Sequence, residues 1–162
     1  DGTKDKAMIE KTGYSDWYSW AVDNWGTKWE VCEFFGVDRQ HLNDSLDEST
    51  ISFSFDSAWS PPLGAYEQFL VDNENCALVA RYYEGGCDFM GVWDNGDDRC
   101  YQPSDYKSDD KFFDHGDGKE IDDYFGITES MADWEAEQET EAEQKVRELV
   151  VEKKAVNIGE DQ

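Results

Sequence analysis

With 162 residues, 38% of them apolar and 15% aromatic, the chain is long enough to bury one core, and its aromatic content argues against wholesale disorder. Thirty-nine acidic against 14 basic residues leave a net charge of −25. A charge of that size repels phosphate backbones and anionic lipid, so neither nucleic acid nor a membrane surface is expected as a direct partner, whereas a basic protein surface is.

In chain order, the stretch SDWYSWAVDNWG (15–26) carries Trp17, Trp20, Ala21 and Trp25 on one helical face, with Ser15 or Asp16 as N-cap and Gly26 as the stop. TKWEVCEFFGV follows as a strand, and ISFSFD (51–56) alternates Ile51, Phe53 and Phe55 against Ser52, Ser54 and Asp56, the pattern of a half-buried strand. AWSPPLGAYEQFLVDN predicts a helix capped by Ser60, with Pro61 and Pro62 in its first turn and a stripe of Leu63, Tyr66, Phe69 and Leu70 packed on the sheet. CALVARYYEGG reads as a strand, and CDFMGVWDNGDDRCYQP as two more joined at Asn95 and Gly96 in a hairpin. Together these give an α+β protein, an antiparallel sheet with helices on one face.

From Asp94 to Asp123 eleven acids face four bases, which predicts a solvated, loop-rich stretch. KEIDDYFGI suggests a short helix. Residues 129–154 suggest a long one, with acids in its first half and Lys145, Arg147, Lys153 and Lys154 in its second, an order that complements the helix dipole. Its apolar stripe is thin: Met131, Trp134, Ala142, Val146, Leu149 and Val150. The chain therefore divides at residue 104 into a folded domain (1–104) and an acidic loop with a long C-terminal helix (105–162).

Three motifs, NWGTKW (24–29), FDSAWSPP (55–62) and YYEGGCDFMGVW (82–93), in this order resemble the YubB ferredoxin-like family of phages, plasmids and related mobile elements. The resemblance covers about residues 14–100, with Trp25, Gly26, Trp29, Trp59, Pro61 and Pro62 as its structural signature. It implies a ferredoxin-like sandwich whose first strand precedes the first helix, although residues 1–13 show no strand pattern. It also implies a bacterial host cell. It brings no settled biochemical activity with it.

Cys32, Cys76, Cys87 and Cys100 include no CxxC pair and read as buried free thiols. No apolar run reaches the roughly 20 residues that span a bilayer, and DGTKDK has no secretory core. The expected location is the cytoplasm, with Asp1 in place of an initiator methionine read as a sign of trimming. His41 and His115 lack a nucleophile motif, and no phosphate-binding glycine loop is present. No catalytic residue and no cofactor are therefore assigned. Asp94, Asp97, Asp98 and Asp114 beside glycines form an alternative metal set, for calcium or for a metal-dependent hydrolase or nuclease, although neither acidic loop fits the EF-hand register.

The expected function lies in the acids. Asp109, Asp110, Asp117, Asp122, Asp123, Glu135, Glu139 and Glu143 form the candidate surface for a basic protein partner, as in a protein that imitates DNA phosphates and occupies a host protein's nucleic-acid groove. A helix-mediated homo-oligomer through Trp134, Val146 and Leu149 is the third reading. NWGTKW serves the core in this reading, with Trp25 ending the helix and Trp29 opening the strand so that both rings bury at the joint.

Overall fold

The structure is a computed structural model, which describes residues 2–28, 32–43 and 48–159. The chain divides into two compact units, Asp1–Cys87 with Val92–Arg99, and Asp88–Gly91 with Cys100–Gln162.

The first unit opens with a helix, α1 (Gly2–Thr12), in a stretch where the sequence offers no strong period and where the family resemblance implies a strand. In the second helix, α2 (Trp17–Trp25), the apolar spacing is realised as expected. Of the two candidate caps it is Asp16 that accepts the Ser19 N–H at 2.8 Å, while Ser15 Oγ donates to the Asp16 carboxylate at 3.0 Å. Gly26, at φ 77°, turns the chain out of the helix and donates its N–H to the Val22 carbonyl, a left-handed cap that costs a residue without Cβ little.

Strand β1 (Cys32–Asn43) pairs antiparallel with β2 (Glu48–Asp56). The register runs from Cys32 opposite Asp56, through Arg39 opposite Ile51, to Asn43 opposite Glu48. β1 is irregular: its register slips between Cys32 and Phe35 and again between Phe35 and Asp38, with Glu33 at φ 51° and Gly36 at φ 63°. These are β-bulges, an extra residue in one strand that bends it and interrupts its ladder.

The helix after β2, α3 (Leu63–Asp72), starts later than the sequence suggests. Pro62 holds the cap position without a side-chain bond, and Ser60 is not the cap: its hydroxyl donates to the Gly26 carbonyl at 2.7 Å. Thr27 Oγ1 is buried and donates to the Ala58 carbonyl at 2.9 Å. Gly64 sits directly against the Asn24 carbonyl, a backbone approach that leaves no room for a Cβ. The NWGT and AWSPP segments thus lock onto each other, which joins α2 to the start of α3.

A three-stranded antiparallel sheet follows, β3 (Val79–Glu84), β4 (Phe89–Asp94) and β5 (Asp97–Tyr101), in that spatial order. The expected hairpin is present, with Asn95 at φ 49° and Gly96 at φ 102° in the turn. Trp93 on β4 is 1% exposed and meets the ring of Tyr66 on α3 at 5.4 Å between centroids, so the helix does pack on this sheet.

The single sheet expected from the sequence is instead two, one of two strands and one of three. The half-buried reading of ISFSFD holds only for Phe55. Ile51 is 59% and Phe53 47% exposed, because the β1–β2 ribbon keeps its apolar face open to solvent. All four cysteines are free but exposed rather than buried.

The second unit includes buried Met90 and Gly91 and continues through single 3-10 turns at Pro103–Asp105 and Lys111–Asp114. Phe112 stacks on Tyr106 at 4.2 Å and meets Tyr101 at a tilt, 4.9 Å away. The short helix expected near KEIDDYF is α4 (Gly116–Phe125), which buries Ile121 completely, and the long one is α5 (Ile127–Gly159), which starts from a fully buried Ile127. Among the described residues no helix is long and apolar enough to cross a membrane.

Candidate functional site

The acids expected to form one surface divide into two groups, those that fasten the fold and those that only face water. Asp110 accepts the Phe112 N–H at 2.8 Å and caps a 3-10 turn, and Asp117 accepts the Tyr101 hydroxyl at 2.7 Å. Asp122 takes both donors of Thr128, the N–H at 2.7 Å and the hydroxyl at 2.8 Å, which ties the end of α4 to the first turn of α5. Asp123 is paired with Lys119 at 2.6 Å one helical turn away. Glu135 accepts the Ser108 hydroxyl at 2.6 Å, and that bond, reinforced by the Ser108 N–H, holds its carboxyl below the usual range. These five carboxylates are internal fastenings of the second unit. Asp109, Glu139 and Glu143 complete the expected set as exposed side chains, Glu143 beside Arg147 at 3.4 Å.

What the helix adds is a larger array than those three residues. Between residues 129 and 143, α5 carries Glu129, Asp133, Glu135, Glu137, Glu139, Glu141 and Glu143. At 1.5 Å rise per residue this is about one carboxylate for every 3 Å of helix axis when both sides of the helix are counted together. The acids fall into two rows. Glu135, Glu139 and Glu143 follow each other at four-residue spacing, and Asp133, Glu137 and Glu141 run along roughly the opposite side, since two residues advance a helix by about 200°. The basic residues begin at Lys145, which reaches Glu141 at 3.9 Å, so the array is sharply bounded at its distal end.

The acids of the alternative metal set are already engaged or apart. Asp94 accepts from the Asn95 side chain at 2.8 Å, Asp97 pairs with Arg99 at 2.7 Å, and Asp98 accepts the Tyr82 hydroxyl at 2.6 Å. Asp114 ends a 3-10 turn next to His115, and among the described residues no three His, Cys, Asp or Glu side chains converge.

The aromatic signature separates in the same way. Trp25 is half-buried and meets Trp20 edge-on at 5.1 Å; Trp29 lies outside the described residues. Pro61 and Pro62 line the joint with α2, but Trp59 does not enter the core. It is 67% exposed at φ 62°, with the Lys28 ammonium 3.1 Å from its ring centroid. A bulky residue held in the left-handed region is a genuine conformational outlier. Nothing in the residue pattern signals it, because AWSPP reads as an ordinary helix start. The exposed apolar residues of the ribbon escape a reading of the sequence for a related reason: alternation shows which residues share a face and says nothing of what covers it.

Comparison of the chain with protein-family models, curated proteins and solved structures finds no match in any of the three.

Proposed function

We propose that this chain is a non-enzymatic binding protein whose acidic helix α5 occupies a basic, nucleic-acid-binding surface on another protein. The observation that carries the reading is the run of seven carboxylates on α5 from Glu129 to Glu143, most of them in two rows with about one carboxylate per 6 Å of axis each, presented on a helix anchored at its base by Asp122 and Ile127. Designed soluble surfaces usually intersperse both signs of charge. Here one sign runs uninterrupted for 15 residues before the first base, Lys145.

The chain order α2–β1–β2–α3–β3 is the order of a ferredoxin-like unit, although β1–β2 and β3–β4–β5 form separate sheets, and we propose a relation to the ferredoxin-like families of mobile elements on that order alone. In that setting an acidic protein competes with DNA for a host protein, and the relation belongs to the same proposal.

The test is capture of host proteins on the immobilised chain, with elution by a salt gradient and by duplex DNA. Captured DNA-binding proteins released by both treatments support the reading. Retention unaffected by salt, or no retention, removes it, because salt dependence is the defining property of a contact between opposed arrays of charge. In the positive case, replacing Glu137, Glu139 and Glu141 by Gln lowers the salt concentration needed for elution.

A further inference from the structure

The β1–β2 ribbon has no further strand paired to it among the described residues, and much of its apolar face is exposed. On one face Phe34, Phe53 and Phe55 form an aromatic cluster with ring centroids 5.3 to 6.0 Å apart, flanked by Ile51, and Phe34 is still 57% exposed. The two edges of the ribbon differ. β1 is interrupted by bulges, with left-handed residues at Glu33 and Gly36, the devices by which sheets protect an edge from further pairing. β2 has no left-handed residue: Thr50, Ile51 and Ser52 pair one for one with Gln40, Arg39 and Asp38, and β2 has no second ladder partner among the described residues. An edge free of bulged residues of its own, uncharged and apolar at alternate positions, is a template for one more strand.

We propose that the outer edge of β2, from Ile51 to Asp56, is a docking site for an extended segment of another protein, with apolar residues at alternate positions and basic residues at its ends. The backbone ladder supplies the affinity. Alternate apolar side chains of the guest extend the Phe34–Phe53–Phe55 face, which fixes its register. Charge selects the guest. The seven residues from Ser49 to Phe55 carry no charge, Asp56 closes the strand, and the chain as a whole stands at −25. A second copy brings the same charge to the contact and is disfavoured, whereas a segment with basic ends meets Asp56 and the overall field favourably. This site is independent of the carboxylates on α5.

The experiment is hydrogen exchange on the full chain, with and without a synthetic nine-residue peptide alternating valine and threonine between terminal lysines. The peptide slows amide exchange within residues 51–56 by about tenfold or more at saturation. A peptide of the same composition with its valines grouped together does not. Phe53→Lys weakens the alternating peptide by at least about tenfold, while the Glu137→Gln, Glu139→Gln, Glu141→Gln variant binds it as the parent does. Equal protection by both peptides, loss of binding in the glutamine variant, or absence of any protection in the parent chain overturns the proposal. So does protection of residues 51–56 that grows with protein concentration alone, which assigns the edge to a second copy.

Discussion

Single residues at the joint between α2 and α3 show how differently a backbone position can be used. Gly64 stands where the Asn24 carbonyl of α2 leaves no space for a methyl group. Gly64→Ala forces the two helices apart and lowers stability by about 1–3 kcal/mol, read from a denaturant titration. Trp59 is the opposite case, since its left-handed φ of 62° favours glycine and its ring is mostly in water. Trp59→Gly leaves the midpoint of thermal unfolding unchanged or raises it, because relief of the backbone strain offsets the Lys28 cation–π interaction, about 0.5–1 kcal/mol at an exposed site. Tyr66 supplies a pH test. Burial pushes its hydroxyl up to about 12 from an unfolded value near 10, so the folded state holds its proton where the unfolded state has lost it. Its contribution is fully present below pH 10 and is lost as the pH rises toward 12. Stability followed by tryptophan fluorescence therefore falls over that interval, and Tyr66→Phe flattens the fall.

At the scale of elements, the joint between α4 and α5 is the point on which the long helix depends. Asp122 accepts both Thr128 donors beside a fully buried Ile127. Asp122→Ala removes both bonds and costs roughly 1–2 kcal/mol, seen as lowered helicity in the far-ultraviolet circular dichroism and an earlier transition. The elements themselves are largely legible in the residues: the helix at Trp17–Trp25, the hairpin at Asn95–Gly96, α4 and the long α5 follow from period, turn residues and charge order. Tertiary relations are not. Ser60 looks like a cap because serine before proline usually is one, yet its hydroxyl satisfies the Gly26 carbonyl across the joint. Asp110, Asp117, Asp122, Asp123 and Glu135 look like surface charge, because composition does not show which carboxylate has a hydroxyl, an ammonium or an N–H opposite it. The array on α5 is legible, since a helix fixes the spacing of its side chains from sequence alone.

For the whole molecule, the net charge of −25 sets how it responds to its solvent. Self-repulsion among exposed carboxylates destabilises the folded chain, and the Debye length shrinks from about 10 Å at 0.1 M salt to about 3 Å at 1 M. Raising sodium chloride through that interval raises the melting temperature, measured by calorimetry; a flat or falling dependence shows that the acids are already neutralised within the fold. Acid works in the other direction at three sites. Asp16, Asp88 and Glu135 are each held below their ordinary values by hydrogen bonds, from the Ser19 backbone, the Ser104 hydroxyl and the Ser108 hydroxyl respectively. Their contribution is present above the unfolded carboxylate range and disappears as the pH falls through the lowered folded values.

Helix α5 begins at a clasp and runs for 33 residues, and Trp134, Val146, Leu149 and Val150 along it remain exposed. Up to Val150, the turns remote from the clasp are exposed on all sides, whereas those beside Ile127 are packed, so the remote turns open more readily. Its length then works as a graded clock: amides close to Ile127 exchange last and those near Val150 earlier, and a protease cuts the remote turns before those beside the clasp. A partner seated on Glu129–Glu143 stops that clock at its own boundary, so the length of the surviving fragment measures how far along the helix the partner reaches.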